Sequence, residues 1–298
     1  MSAARQTTQT PGISEGKPAS GRKQESFDFD RAASVLVDAA VRAGAAIMRH
    51  YREGPEVALK ADASPVTRAD RDSEEILLAA LADLAPDVPV VAEETASDRS
   101  ADPGRRFFLV DPLDGTKEFI QKRSDFTVNV ALVDDGRPRF GLVYAPATGL
   151  LALTRSDESA VETNVAPNDA GADFSTLDLK PICTRFADPA ALVAVVSHSH
   201  LDAATEQFLK IHPVAARSSA GSSLKFLLLA RGEADVYPRF GPTMEWDTAA
   251  GQAVLEAAGG IVLNSEGGPL RYGKTEAGLK NPGFIAWGRS PDTSPNTA

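Results

Sequence analysis

A single cysteine, Cys183, stands in the whole chain, which excludes an internal disulfide and a thiolate-held metal cluster. That fits a reducing cytoplasm. No apolar run approaches the ~20 residues of a membrane-spanning helix, so no integral membrane segment is expected. An excess of positive charge is also missing. Lys and Arg number 31 against 41 Asp and Glu, a formal charge of −10. Such a balance argues against broad binding to nucleic acid polymers or anionic membranes. A small phosphorylated substrate stays open, because bound cations and a few basic side chains can meet its charge locally. Residues 1–26 carry Gln, Thr, Ser, Lys and Pro without an apolar stretch, so they are expected to be a disordered tail and not a secretory signal. The remainder is ordinary for a soluble globular protein. With 298 residues, 43% of them apolar, and a mean hydropathy of −0.17, there is length for one large domain or two.

The most informative stretch runs Phe107-Phe108-Leu109-Val110-Asp111-Pro112-Leu113-Asp114-Gly115-Thr116-Lys117-Glu118-Phe119. Its four apolar residues predict a buried strand. Pro112 fixes φ and removes a donor, so the ladder is expected to end there. Gly115 permits a turn that a Cβ would obstruct. Two carboxylates, the Leu113 carbonyl and the Thr116 hydroxyl would then meet at a strand end. Hard oxygen ligands of this kind suit Mg²⁺. A turn in which Asp111 and Asp114 cap nearby amides is the other reading.

Around it, helical spacing of Ala33, Val37, Ala40, Val41, Ala45, Met48 and Tyr51 predicts a helix from Asp30 to Tyr51, ended by Gly54-Pro55. Val57-Ala58-Leu59 reads as extended. A second helix opens at Thr67 and runs to about Leu84, with Asp70 at capping-box spacing. Val88 to Ala92 is a strand leading into Glu93-Glu94. Phe126 to Val133, the turn Asp134-Asp135-Gly136, Phe140 to Tyr144 and Leu150 to Thr154 make a largely antiparallel meander, so the first half is α+β. Arg155 to Lys180 reads as a surface excursion without regular structure. The second half alternates as α/β: strands at Leu192–Val196, near Val214, at Ala234–Tyr237, Ile261–Leu263 and Phe284–Trp287, with helices at Asp202–Ile211, Gly221–Ala230 and Asp247–Ala258. The expected division is 27–185 for an α+β half and 186–298 for an α/β half of one catalytic unit.

Glu93-Glu94, the Asp111 to Glu118 run and Glu245-Trp246-Asp247-Thr248-Ala249-Ala250, in this order, resemble the metal-dependent phosphatases of the inositol monophosphatase superfamily. One branch is closer still. Lys60-x-x-x-Ser64-Pro65-Val66-Thr67, Asp111 to Ile120, Gly221-Ser222-Ser223-Leu224-Lys225-Phe226 and Tyr237-Pro238-Arg239-Phe240-Gly241-Pro242-Thr243 are similar to the 3′(2′),5′-bisphosphate nucleotidases of the CysQ type. The likeness extends from Asp30 to Phe284.

The resemblance implies a five-layer α-β-α-β-α sandwich and two or three Mg²⁺ ions. Glu93, Asp111 and the Leu113 carbonyl would hold the first, and Asp111, Asp114 and Asp247 the second. Glu93 and Asp70 would hold a third, with Glu94 in support. Asp70 and Thr116, beside Glu93, would orient and deprotonate the attacking water. The scissile phosphate would lie among Glu93, Leu113, Asp114, Gly115, Thr116 and Asp247. Ser222, Lys225 and Arg239 would receive the phosphate that is not cleaved, and His200 the base or ribose. His198 stands where an arginine is usual. Each has a plainer reading: Asp70, Asp247 and Ser222 as helix caps, Lys225 as a solvated charge, Arg239 in a surface salt bridge, and the histidines as loop residues.

The activity so implied is hydrolysis of adenosine 3′,5′-bisphosphate to AMP and phosphate, with 3′-phosphoadenylyl sulfate as a second substrate, in sulfur-assimilation nucleotide recycling. Lithium inhibition is expected. So is a cytoplasmic monomer or homodimer, with peripheral attachment to the inner membrane kept open. Inositol monophosphatase or fructose-1,6-bisphosphatase activity on the same metal site is the alternative. A catalytically silent nucleotide or metal sensor would be a different class.

Overall fold

The computed structural model of the chain describes residues 27–54, 56–60, 65–96, 101–169, 171, 174–197 and 201–289. The amphipathic repeat at its start folds as helix α1 (Phe29–Glu53), two residues longer at its C-terminal end than the repeat suggests. Asp28 caps it, accepting from Arg31 N at 3.0 Å, and Gly54 closes it with φ 102°. Strands β1 (Val57–Leu59) and β2 (Pro65–Thr67) form a small antiparallel pair. Helix α2 (Arg68–Leu84) follows, with the Thr67–Asp70 capping box formed at its N-terminus. Both helices bury one apolar stripe.

That stripe packs on a seven-stranded sheet. Its strands are β3 (Val90–Ala92), β4 (Arg106–Asp114), β5 (Thr127–Asp134), β6 (Arg137–Ala145), β7 (Leu150–Thr154), β8 (Ala160–Asn164) and β9 (Lys180–Ile182), neighbours in chain order. Only β3 and β4 run parallel. The short helix α3 (Thr116–Ile120) lies between β4 and β5 and was not expected. Asp135 and Gly136 join β5 to β6 with φ of 52° and 70°, the left-handed pair that a tight hairpin requires.

The second half holds β10 (Leu192–Ser197), α4 (Ala203–Ile211), β11 (Val214–Ala220), α5 (Leu224–Ala230), β12 (Val236–Arg239), β13 (Thr243–Met244), α6 (Ala249–Ala257), β14 (Ile261–Asn264), β15 (Lys280–Asn281) and β16 (Phe284–Trp287). Five of these strands form a sheet in the order β11-β10-β12-β16-β14. β10 is parallel to β11 and β12, whereas β16 is antiparallel to both its neighbours.

Alternation along β4 assembles the layers. Phe108 and Val110 enter the core with α1 and α2, whereas Phe107 and Leu109 enter the core with α5, α6 and the second sheet. Beyond that sheet, Leu192, Ala194 and Val236 pack against Phe208 and Leu209 of α4. Helices, sheet, helices, sheet and helix make the five layers. The approach of α6 to β6 is very close: a Cβ on Gly141 would lie 2.3 Å from the Ala250 carbonyl oxygen.

Two expectations need correction. The β4 ladder does not stop at Pro112. Asp111 pairs with Asn129 and Asp114 with Thr127, so β4 carries one extra residue in a bulge and pairing resumes beyond the proline. Nor is Arg155 to Lys180 structureless, because β8 forms five register pairs with β7, from Ala160 to Asn164, with Ala160 and Val161 buried. A five-residue strand with Glu162 and Asn164 in it leaves too weak an alternation to detect.

Candidate active site

The bulge decides how the acidic pair is presented. It re-aims the end of β4, and Asp111 turns back to accept from Leu113 N at 3.0 Å. Ser73, one turn along α2 from Asp70, holds the Pro112 carbonyl at 2.9 Å. Gly115 has φ 93°, where a Cβ would also stand 3.2 Å from the Asp125 carbonyl oxygen, so glycine is required there. The turn leads into Thr116, whose Oγ1 is 3.2 Å from the Leu113 carbonyl oxygen and 3.1 Å from Asp70 Oδ1. Asp70 Oδ2 meanwhile accepts from Thr67 N and Oγ1 at 2.7 and 2.6 Å. Capping and facing Thr116 are thus shared between two oxygens of one carboxylate.

A cleft of about 270 Å³ brings together Glu93, Asp114, Gly115, Thr116, Ser222, Lys225, Arg239 and Asp247. Asp70, Asp111 and Leu113 do not line it; they are buried just beneath. His198 and His200 lie outside the described residues, as does Ser64. Two larger hollows, about 890 and 590 Å³, lie elsewhere, and neither holds an expected site residue.

Several plainer readings fail here. Asp247 does not cap α6: its Oδ2 accepts from Met244 N, before the helix, at 2.8 Å. Ser222 is no cap either, since φ 46° puts it in the left-handed region and α5 starts at Leu224. Lys225 is not a solvated charge. It is buried, and Nζ donates to the Ser222 carbonyl at 2.6 Å. Arg239 is likewise buried, with its guanidinium donating to the Pro242 carbonyl at 3.2 Å, so it is not a solvated surface side chain.

Electrostatics divide the cleft into two poles. Burial, together with the charges of Glu93, Asp114 and Asp247, pushes the Asp111 carboxyl well above its ordinary value. Burial and Asp114 do the same to Asp247. Asp114 is pushed up to about 6 by burial, although Lys225 opposes the shift. At the other pole, burial brings Lys225 down to about 8 against the pull of Asp114. Among the described residues no three acid side chains stand close enough to clasp an ion as they are. Lys60 Nζ sits 2.6 Å from both Glu93 Oε1 and Glu94 Oε1. The donors nonetheless fit a hard divalent cation. All are oxygens, and Asp111, Asp114 and Asp247 are like-charged carboxylates buried together, whose mutual repulsion a divalent cation would relieve.

A model of the inositol monophosphatase family matches residues 28–289. The chain belongs to the inositol monophosphatase family. The 3′(2′),5′-bisphosphate nucleotidase CysQ of Escherichia coli strain K12 is 44% identical over 251 residues, covering 81% of this chain and 94% of the relative. The CysQ nucleotidase of Haemophilus influenzae is 32% identical, over 84% of this chain and 90% of its own. A crystal structure of CysQ from Bacteroides thetaiotaomicron, 38% identical, superposes with a TM-score of 0.74 over 88% of this chain and 98% of that one. An inositol monophosphatase of Thermotoga maritima, 21% identical with a TM-score of 0.69 over 87% of this chain and 92% of that one, shares the fold.

Sequence reasoning overlooked several supporting groups of this inositol monophosphatase family site. Asn129 Nδ2 lies 3.4 Å from Asp114 Oδ2, and Glu74 accepts from Glu94 N at 2.8 Å. A signal existed for some of them. Ser73 lies three residues after Asp70 on the same face of α2, and Asn129 is a polar break in an apolar strand. No helix of the described residues is long and apolar enough to cross a membrane.

Proposed function

We propose that this family member is a magnesium-dependent phosphatase that removes the 3′-phosphate of adenosine 3′,5′-bisphosphate, releasing AMP and phosphate. 3′-Phosphoadenylyl sulfate would be a second substrate, in sulfur-assimilation nucleotide recycling, with a cytoplasmic setting and lithium sensitivity. The observation that carries the reading is the two-pole cleft. Asp114 and Asp247 share one cavity with buried Lys225 and Arg239, an arrangement suited to a molecule bearing two phosphates. An inositol monophosphate has no second phosphate for the cationic pole to hold. The 44% identity to a named bisphosphate nucleotidase supports the same choice.

Two or three Mg²⁺ ions held by Asp111, Asp114, Asp247, Glu93, Asp70 and the Leu113 carbonyl would neutralise the phosphoryl oxygens and lower the pKa of the attacking water. The chain's own groups do the rest. Asp70 fixes the Thr116 proton, leaving a lone pair of Thr116 Oγ1 to accept from water. As the water oxygen bonds to phosphorus and the P–O3′ bond breaks, the water proton passes through Thr116 to Asp70, and the departing 3′-oxygen takes a proton from solvent water to become the 3′-hydroxyl of AMP. Burial raises the Asp70 carboxyl, which suits a group that accepts a proton. Lys225 and Arg239 hold the 5′-phosphate and thereby set the 3′-phosphate against the acidic pole.

Phosphate release tests this across adenosine 3′,5′-bisphosphate, 3′-AMP, inositol 1-phosphate and fructose 1,6-bisphosphate in Mg²⁺. The bisphosphate nucleotide is expected to lead in kcat/KM by about tenfold or more. Equal or faster hydrolysis of inositol 1-phosphate overturns the reading.

A further inference from the structure

Thr127 opens β5 directly opposite Asp114 in the ladder and is fully buried. Its Oγ1 donates to Ser222 Oγ at 3.2 Å, across 95 residues of chain. The same segment presses on the same turn through its backbone. A Cβ on Gly221 would stand 2.5 Å from the Asp125 carbonyl oxygen, so the turn meets this segment without a side chain between them. Ser222 is held at φ 46°, a conformation that costs a non-glycine residue energy and persists only where its surroundings enforce it. In that conformation its carbonyl accepts from Lys225 Nζ at 2.6 Å.

We infer that Thr127 is a positioning residue for specificity: by donating to Ser222 Oγ it leaves the Ser222 proton for an anionic oxygen in the cleft. A hydroxyl has one proton and two lone pairs. With one lone pair engaged by Thr127, the Ser222 hydroxyl acts toward the cleft as a donor, beside the Lys225 ammonium. The group it recognises is a phosphate monoester dianion that is not cleaved. Because Thr127 of β5 is paired in register with Asp114 of β4, the strand pair that presents an acidic group also fixes the height of the anion pocket. The spacing between the two phosphates of a substrate is therefore read by one rigid element. This inference rests on the bisphosphate nucleotidase reading.

The test uses Thr127→Val, which keeps the shape and removes the donor, Thr127→Ser, which restores it, and Ser222→Ala. Thr127→Val is expected to raise KM for adenosine 3′,5′-bisphosphate about fivefold, leaving kcat and the KM for 3′-AMP within twofold of wild type. Calorimetric binding of AMP, which carries the 5′-phosphate, should weaken by the same factor. Thr127→Ser should recover both. The double variant should bind AMP no more weakly than Ser222→Ala alone, because both changes remove one interaction. Wild-type KM and AMP binding in Thr127→Val would overturn the inference, even with the bisphosphate still preferred. Equal loss on both substrates would also overturn it, since that is the mark of a general packing role. If wild type neither prefers the bisphosphate nor binds AMP, the nucleotidase reading falls and takes this inference with it.

Discussion

Thr116 Oγ1 meets Asp70 Oδ1 at 3.1 Å, joining the turn after β4 to the first turn of α2 across 46 residues. The other oxygen of Asp70 is already engaged by Thr67 N and Oγ1. One carboxylate therefore starts a helix and faces the cleft-lining hydroxyl. Its two duties can be separated by substitution.

Asp70→Asn keeps an oxygen acceptor for the cap but cannot take a proton. The expected outcome is a fall in kcat of about 10²- to 10⁴-fold. Stability should change by about 1 kcal/mol or less, which shifts Tm by about 2–4 °C in a domain of this size. Steady-state kinetics and thermal melting on one preparation decide it. A collapsed Tm with kcat per folded molecule intact would make Asp70 a cap alone.

Asp111→Asn should abolish turnover while stabilising the metal-free protein. Burial and three neighbouring carboxylates raise the folded-state pKa of Asp111 above its ordinary 3.8. A raised carboxyl is a destabilising one once pH exceeds the unfolded value, because the unfolded state ionises freely and the folded state does not. In chelator, wild-type Tm should therefore decline relative to the variant as pH climbs from about 4 toward neutrality, with the two converging in acid. Added Mg²⁺ should reverse the order by stabilising wild type more. A variant less stable than wild type in EDTA at pH 7.5 would contradict the electrostatic account.

Lys225→Met and Arg239→Met should each raise KM for adenosine 3′,5′-bisphosphate far more than for 3′-AMP. Each lost charge-assisted bond to phosphate is worth about 1.5–3 kcal/mol, or roughly 10- to 150-fold. Identical losses on both substrates would place these cations at the scissile phosphate instead.

What could be read from the sequence was whatever local pattern decides. The apolar stripe of α1, the strand Leu150–Thr154, the strand Phe284–Trp287 and the Asp111-to-Thr116 turn all carry their signal within one continuous stretch of chain. Roles that depend on partners far along the chain were not readable. Lys225 looks like any helix-start lysine until β4 brings Asp114 near it. Ser222 and Asp247 look like caps, but Ser222 is bonded by Thr127, 95 residues away, and the Asp247 carboxylate turns back to Met244 N instead of toward the helix. Strand β8 was missed for a different reason. Its outward residues are polar and its inward ones few, so tertiary pairing rather than periodicity makes it a strand.

The last prediction concerns the contact that seats α6, and with it Asp247, against the first sheet. A Cβ added at Gly141 in β6 would lie 2.3 Å from the Ala250 carbonyl oxygen and 2.8 Å from Ala253 Cβ. Neither neighbour is the tip of a flexible side chain, so the helix or the strand must move. Overpacking of this kind costs about 1–3 kcal/mol, and Tm should fall by about 2–4 °C for each of these. Movement of α6 also displaces its first turn, which begins two residues beyond Asp247. Gly141→Ala should therefore raise the Mg²⁺ concentration needed for half-maximal stabilisation of the protein as well as lowering Tm. Gly104→Ala supplies the contrast: it is strained at φ 80° but meets nothing within 4 Å, and it precedes β4 at the end opposite Asp114. That variant should lose some stability and leave the Mg²⁺ requirement unchanged. If Gly141→Ala lowered Tm without altering the Mg²⁺ requirement, the seat of α6 would matter for stability alone, and Asp247 would be positioned by its bond to Met244 N instead.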